Sequence, residues 1–179
     1  MRRTQGFTLI ELMVTIAVAA ILLSLALPSF RNMIVTSRLN SVSAELTDAI
    51  GFARFEAIKR NRTIVFCRVA NETATNCATG ANWSHWVVGL RTGANSVEVV
   101  RRGEVNTYGG SLRVTSQMTN SRVVFNGDGL ARSDNGNLIT DTTGRMTVCA
   151  NSGPSEGTRR ITMGAASRMS VERITGFCS

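Results

Sequence analysis

The chain opens with a long run of apolar residues behind a short polar start. From Phe7 to Leu27 there are 21 residues, and a helix of that length would measure roughly 30 Å at about 1.5 Å per residue. That length matches the hydrocarbon core of a bilayer. Arg2 and Arg3 precede the run and favour the cytoplasm for that end. The pattern predicts a transmembrane segment over residues 7–27, with the rest of the chain translocated.

Beyond Phe30 the apolar residues recur at steps of three and four, which is the spacing of one helix face. The stripe consists of Leu39, Val42, Leu46, Ala49, Ile50, Ala53 and Ala57. We predict a single helix over residues 7–60, whose part at 31–60 lays this stripe on a globular domain. The first half has no domain to cover it and must pack in lipid or against other copies.

After Asn61 the pattern changes to short stretches rich in valine, isoleucine and threonine, separated by turn-forming clusters such as Asn135-Gly136. These candidate strands are Thr63–Val69, His85–Leu90, Val97–Arg101, Leu112–Thr115, Arg122–Phe125, Arg145–Cys149, Arg160–Met163 and Met169–Ile174. They predict one antiparallel β domain of one or two sheets over residues 61–179, packed on the helix. The fold class is therefore α+β.

The chain has four cysteines, at positions 67, 77, 149 and 178, and none forms a Cys-x-x-Cys pair. The only histidine is His85, so the spacing does not suit a zinc site. An even number in an exported domain indicates two disulfides and an oxidising compartment. Four cysteines allow three pairings, and sequence proximity favours Cys67–Cys77 and Cys149–Cys178.

Glu11 is the one residue that does not fit a plain membrane anchor, because it lies early in the apolar run. An ionised carboxylate there costs on the order of 2.5–3.5 kcal/mol by insertion scales. Cleavage after Gly6 would make Phe7 the new N-terminus and place Glu11 fifth in the mature chain. The α-amine of a neighbouring copy, staggered along the helix axis, would then neutralise this carboxylate away from water.

The segment Gly6-Phe7-Thr8-Leu9-Ile10-Glu11-Leu12 resembles the prepilin signature of type IV pilins and type II secretion pseudopilins. The resemblance implies a leader at residues 1–6, which a prepilin peptidase removes by cutting between Gly6 and Phe7. It also implies methylation of the Phe7 amine and a role for Glu11 in docking into the growing filament. Pro28 falls where the helices of such proteins often bend.

Two later segments carry a narrower resemblance. They are Phe125-Asn126-Gly127-Asp128-Gly129 and the helical Gly51-Phe52-Ala53-Arg54-Phe55-Glu56-Ala57. Both are similar to the H-type pseudopilins and the FimT/FimU group of minor pilins. The function this implies is assembly of a type IV pilus, in a priming or tip complex. The alternatives are a pseudopilin of type II secretion and a DNA-binding minor pilin for natural transformation.

The resemblance also implies partners and a location. The partners would be other pilin and minor pilin subunits, the prepilin peptidase, the inner-membrane assembly platform and, before assembly, membrane lipid. The protein would first cross the bacterial inner membrane once, with its C-terminal domain in the periplasm, and later stand in a pilus at the cell surface. No cofactor is expected.

The DNA-binding alternative depends on charge. The net charge is +8, and 19 of the 20 basic residues are arginine, whose donor fork suits phosphates. DNA-binding relatives resemble one another in a Gly-Arg-x-Arg motif near the C-terminus, and Ser167-Arg168-Met169-Ser170 keeps only its first arginine. We therefore expect weak, non-specific, salt-dependent binding, with the candidate contacts Arg159, Arg160, Arg168 and Arg173.

The sequence offers little for catalysis, because a nucleophile–histidine–acid set is not credible with His85 as the only histidine. We interpret His85 as a packing residue of a strand or loop. Gly127 and Gly129 lack the lysine of a phosphate-binding loop and are better explained by turn geometry. Asp128 and Asp134 match no defined calcium loop. The chain is not expected to be an enzyme.

Overall fold

The computed structural model describes residues 8–178, with side chains for all of these except residues 23–28 and Ala165. One helix, α1, extends from Leu9 to Arg60 and is uninterrupted at Pro28. Thr8 caps its N-terminus. At the other end Asn61 takes a left-handed conformation (φ 49°), and its N–H bonds the carbonyls of the last turn. Asparagine tolerates this conformation and is a common helix terminator.

Nine strands follow the helix in the part of the chain that the structure describes. Their bounds are β1 Ile64–Val69, β2 His85–Arg91, β3 Val97–Glu104, β4 Leu112–Ser116, β5 Arg122–Phe125, β6 Ala131–Arg132, β7 Arg145–Ala150, β8 Thr158–Met163 and β9 Met169–Ile174. They form two sheets, in the orders β3-β2-β1-β5-β6 and β4-β7-β8-β9. Every pair of neighbouring strands is antiparallel. The sheets both contact α1, which places the helix over the domain.

The main core lies between the helix and the two sheets. All seven residues of the apolar stripe are buried there, none more than 2% exposed. Among the described residues, four large aromatic side chains occupy the same core, namely Phe66, Trp83, Trp86 and Phe125. The Phe66 and Trp83 rings stack with centroids 5.2 Å apart. Burying these side chains contributes to the hydrophobic stabilisation of the fold. The second half of α1 is therefore part of the domain.

A second, smaller core lies on the other face of the first sheet. Val65, Val87 and Val124 face away from the helix and are covered by the segment after β1, which brings in Ala74 and Cys77. This segment is fastened to β1 through Cys67–Cys77 and through a bridge between Val69 and Cys77. The strands of this sheet are consequently apolar on both faces, which explains their continuous valine-rich runs.

The α+β fold with a long N-terminal helix on antiparallel sheets is confirmed. Each of the eight predicted strands is present, with bounds that differ by no more than three residues. The ninth, β6, has two residues, and it is too short to leave a periodic pattern. The predicted helix began at Phe7, which lies outside the described residues, as does the leader at residues 1–6.

Within residues 8–178, no helix is both long enough and apolar enough to meet the requirements for crossing a membrane. The predicted span over residues 7–27 includes Phe7 and the side chains of 23–27, which are not described, and it stays a prediction.

Candidate assembly site

Glu11 is held by a reciprocal pair of hydrogen bonds at the start of α1. Its carboxylate accepts from the Thr8 backbone N–H at 2.9 Å and from Thr8 Oγ1 at 3.0 Å. The Glu11 backbone N–H donates to Thr8 Oγ1 at 3.3 Å. This is a capping box, which satisfies N–H groups that a helix N-terminus leaves without partners. The carboxylate is thereby directed toward the N-terminal end of the helix.

Gly6 and Phe7, the proposed cleavage and methylation positions, lie outside the described residues. Sequence reasoning treated Glu11 as unpartnered within its own chain and missed Thr8. The Thr-x-x-Glu spacing ahead of an apolar run is the signal that identifies such a cap.

The helix surface that follows Glu11 is apolar and uncovered. Large hydrophobic side chains point outward all around it, with exposures of 51% or more: Leu9, Ile10, Leu12, Met13, Val14, Ile16, Val18, Ile21 and Leu22. Contiguous apolar surface of this extent is not left in water by a stable protein. This part of α1 therefore requires a surrounding of lipid or of other helices.

Both disulfides are present in the pairing that sequence proximity favours. Cys67–Cys77 closes the loop over the second core. Cys149–Cys178 fastens the end of the chain to β7, and next to it the Cys178 N–H donates to the Ala150 carbonyl at 3.0 Å. Among the described residues there is no free cysteine.

The four candidate DNA-contacting arginines do not form a single patch. Arg159 points from β8 toward α1, is 2% exposed and donates from Nε to Asn40 Oδ1 at 2.9 Å. Burial lowers the pKa of its guanidinium. Its cross-strand neighbour Arg173 is exposed on the same side and lies 4.0 Å from Glu156. Arg160 points to the opposite face, and Arg168 is exposed in the turn before β9.

A different set of arginines shares the outer face of the second sheet, turned away from α1. Strand register places Arg113, Arg145 and Arg160 on this face among threonines. Arg145 and Arg160 are diagonal neighbours, a relation that brings residues within about 7–8 Å. The Nε atoms of both are buried without a hydrogen-bond partner among the described residues. Glu172 is the one acidic strand residue of this face within the described chain.

The acidic residues considered for calcium form ion pairs. Asp128 contacts Arg132 at 2.7 Å, and Asp134 contacts Arg91 at 3.0 Å and the buried Arg122 at 3.6 Å. The hydrogen bond from the Leu130 backbone N–H lowers the pKa of Asp128 below its usual value, and the hydrogen bond from the Arg132 side chain adds a smaller effect in the same direction. No cluster of three metal-ligating side chains occurs among the described residues.

The glycines of the Asn-Gly-Asp-Gly segment close the turn after β5 onto the end of α1. A Cβ atom on Gly127 would overlap Asn61, and one on Gly129 would lie 2.7 Å from Ile58. Gly129 also has a positive φ of 70°, which favours glycine. The two glycines therefore allow this turn to pack closely against the end of α1.

A long helix with an exposed apolar half, laid on antiparallel sheets, defines the class of pilin-like proteins. Family models agree with this assignment. The model described as Type II transport protein GspH matches residues 43–167, and the one described as Prokaryotic N-terminal methylation motif matches residues 1–27. The chain belongs to the GspH family. Members of this family and fold are structural proteins.

Two proteins of Moraxella bovis are similar in sequence. Fimbrial protein Q is 32% identical over 115 residues, which cover 63% of this chain and 64% of that protein. The type IV major alpha-pilin is 44% identical over 59 residues, which cover 31% of this chain and 37% of that protein. The chain thus spans less than two thirds of the length of either relative.

Two crystal structures of the type IV minor pilin FimU from Pseudomonas aeruginosa share the fold. Their TM-scores are 0.53 and 0.54, at 18% and 19% identity. The matches cover 75% and 76% of this chain, and 92% and 90% of the two solved chains.

Proposed function

We propose that this protein is a minor pilin that takes part in assembling a type IV pilus, in its priming or tip complex. The observation that carries the proposal is the pairing of an exposed apolar helix with a carboxylate directed toward its N-terminal end. Such a helix needs lipid before assembly and neighbouring helices after it. The carboxylate needs a positive partner in both settings.

The proposed route to the filament begins with processing of the N-terminus. A prepilin peptidase cuts between Gly6 and Phe7 and methylates the new amine, which stays positive. In the bacterial inner membrane the apolar helix crosses once, and the domain stands in the periplasm. The assembly platform then moves the chain into the filament at the cell surface. There, the Glu11 carboxylate accepts a hydrogen bond from the positive α-amine of an adjacent pilin subunit.

Thr8 contributes to this step by holding the carboxylate in place. Two donors from Thr8 engage the Oε2 atom of Glu11. Its second oxygen has no hydrogen bond to another described residue, and we place the incoming amine there. A pre-oriented acceptor lowers the entropy cost of docking.

The test compares Glu11→Val with Thr15→Val in cells that lack the native copy. Both changes remove a polar group from the same exposed helix segment, but only the first removes a charge. We expect both variants to reach the membrane and only Thr15→Val to appear in sheared pili. Normal incorporation of Glu11→Val into pili would exclude a docking role for the carboxylate.

The same deletion strain separates pilus assembly from secretion. Loss of surface pili with normal protein secretion supports the proposal. Retained pili with lost secretion would assign the chain to type II secretion as a pseudopilin.

A second candidate function is DNA binding during natural transformation. It is favoured by the outer-face arginines, Arg113, Arg145 and Arg160, which share one sheet face. Arginines on a flat surface meet backbone phosphates without reading sequence. Exposed Arg168 and Arg173 add charge at the turn and the sheet edge, whereas the buried Arg159 is engaged by Asn40. Binding of this kind would be weak and strongly dependent on salt.

A further inference from the structure

A groove lies between the middle of α1 and β9, which is the last strand of the second sheet. Its volume is about 560 Å³. The helix side is formed by Asn40, Ser43, Ala44, Thr47 and Asp48. The sheet side is formed by Arg159, Val171 and Arg173. The Val171 side chain is on the helix side of the sheet, as its cross-strand partner Ile161 lies in the main core, yet Val171 is 46% exposed. The described chain therefore does not fill the space between the helix and β9.

The edge of β9 is open, because β8 is the one described strand that pairs with it. Hydrogen-bonded pairs alternate along an antiparallel ladder. The Gly164 N–H donates to the Arg168 carbonyl at 2.9 Å. Counting in steps of two from this bond, the main chain of Glu172 faces β8, and the main chains of Val171 and Arg173 face the open edge. No described residue bonds these groups, and an edge of this kind accepts an extended polypeptide as an added strand.

One end of the groove contains a buried arginine with a donor to spare. Arg159 is 2% exposed. Its Nε atom donates to Asn40 Oδ1, and its Nη1 atom donates to the carbonyls of Glu156 and Thr158. Its Nη2 atom has no hydrogen bond to another described residue. Because Asn40 accepts through Oδ1, its Nδ2 group remains as a second donor at the same end of the groove.

Arg173 brings a second guanidinium to this end, as the cross-strand neighbour of Arg159. Its side chain is 65% exposed and lies 4.0 Å from Glu156, whose side chain is 53% exposed. An ion pair so open to water contributes little. Burial, and then the positive charge of Arg173, lower the pKa of Arg159, against the opposing effect of Glu156. Two guanidinium groups share one weakly held carboxylate, so this end of the groove attracts a further anion.

The anion that fits is a carboxylate carried by an added strand. A side chain directly opposite Arg173 on such a strand points to the same sheet face, with about 4.5–5.5 Å between the Cβ atoms, and so enters the groove beside Arg159. The acidic residue of the groove, Asp48, lies about 12 Å along the helix from Asn40 and pairs with Arg101 at 2.7 Å. A DNA duplex is too wide to bring its phosphates into this recess between helix and sheet.

We propose that this groove receives an extended strand of a neighbouring pilin subunit, and that the strand presents an aspartate or glutamate to Arg159 and Arg173. The strand pairs with the main chain of Val171 and Arg173 and covers the Val171 side chain, while Asn40 donates to the same carboxylate. Helical filaments are built from contacts between unlike surfaces of successive subunits. The proposal rests on the proposed function, because it needs the chain in a filament.

The experiment replaces Val171 by the photo-crosslinking residue benzoylphenylalanine in the full chain, in piliated cells that lack the native copy. Sheared pili are illuminated, and mass spectrometry maps the attachment site. We expect attachment to an extended segment of another pilin subunit, within two residues of an aspartate or glutamate. Arg173→Glu should lower the yield about tenfold, because it sets two carboxylates against each other. Changing the partner's acidic residue to lysine should then restore the yield.

Arg168→Glu is the matched control, because Arg168 is exposed one residue before β9 and does not line the groove. It should leave the yield unchanged. Equal yields with Arg173→Glu, or attachment to a segment without an acidic residue, overturn the proposal. No attachment in chain recovered from pili also overturns it, and attachment to DNA assigns the groove to nucleic acid instead. Absence of the chain from pili, with normal amounts in membranes, would refute the proposed function and this inference with it.

Discussion

Gly103 lies directly against the indole ring of Trp86, its partner across β3 and β2. A Cβ atom at position 103 would overlap the ring edge. The indole is 2% exposed, lies beside the Phe66 ring and donates from Nε1 to Glu45 on α1 at 3.3 Å. Because Gly103 has no side chain, there is room for the Trp86 indole, which connects the first sheet to α1.

Gly103→Ala should destabilise the domain by about 1–3 kcal/mol, because added volume in a packed core forces neighbours to shift. Thermal unfolding together with tryptophan fluorescence measures both the loss and the displaced indole. Gly93→Ala is the matched control, since its new Cβ would lie 3.7 Å from Ser96, at ordinary contact distance. Equal stability of the two variants would show that the indole adapts freely.

Glu45→Gln should change how stability depends on pH. Burial raises the pKa of Glu45 above 4.5, against the smaller opposing effects of Trp86 and Arg101. A carboxyl whose pKa is raised by folding favours the folded state when protonated. Its contribution is therefore lost as pH rises from about 4.5 through the folded-state pKa.

We expect Glu45→Gln to match the unaltered chain in melting temperature below pH 4.5 and to exceed it near pH 7. The exposed Glu98 provides the control, since Glu98→Gln should not produce this difference. A lower melting temperature of Glu45→Gln near pH 7 would mean that Arg101 makes the ionised carboxylate stabilising.

Replacing Cys149 and Cys178 together by alanine should cost about 3–4 kcal/mol, as expected for a closed loop of 29 residues. Hydrogen exchange should show early loss of protection at Gly176, whose N–H bonds the Ser155 carbonyl. The double change at Cys67 and Cys77 should leave that protection in place and expose the second core. Reversal of these two exchange patterns would contradict the structural roles assigned to the bonds.

Processing at the N-terminus should shorten the native chain by six residues and add one methyl group at Phe7. Intact-mass measurement of protein from membranes tests both events in one experiment. Gly6→Leu should block the cut and leave a longer species. Native protein that still begins at Met1 would contradict the assignment as a processed pilin.

If the domain binds DNA, as the second candidate function requires, the outer-face arginines should account for that binding. The triple variant Arg113→Gln, Arg145→Gln, Arg160→Gln should weaken duplex binding and flatten its salt dependence by about 0.9 per lost phosphate contact. A shift assay across a salt series measures both effects. Arg168→Gln/Arg173→Gln is the comparison, and a larger effect from that pair would move the contact surface to the sheet edge. Absence of binding at low salt would remove this candidate function.

Sequence periodicity was sufficient to predict the helix and its buried stripe. Steps of three and four residues place the stripe on one helix face, and this does not depend on which strands pack against it. Periodicity alone could not predict which arginines share a sheet face. Arg159 and Arg160 are adjacent in sequence and therefore point to opposite faces of β8. Which face is covered, and which residues of β4 and β7 join Arg160, depends on strand register between distant segments. That register is set by the packed core and leaves no local signal.

The continuity of α1 has a mechanical consequence. Tension applied to its N-terminal half passes along one uninterrupted helix into the buried stripe, where β1, β2, β5, β7 and β8 all contact it. The pull runs along this interface, so its contacts are loaded together in shear and no strand is peeled away alone. The domain should consequently resist a force along the helix axis far better than an equal force that lifts the sheets away from α1.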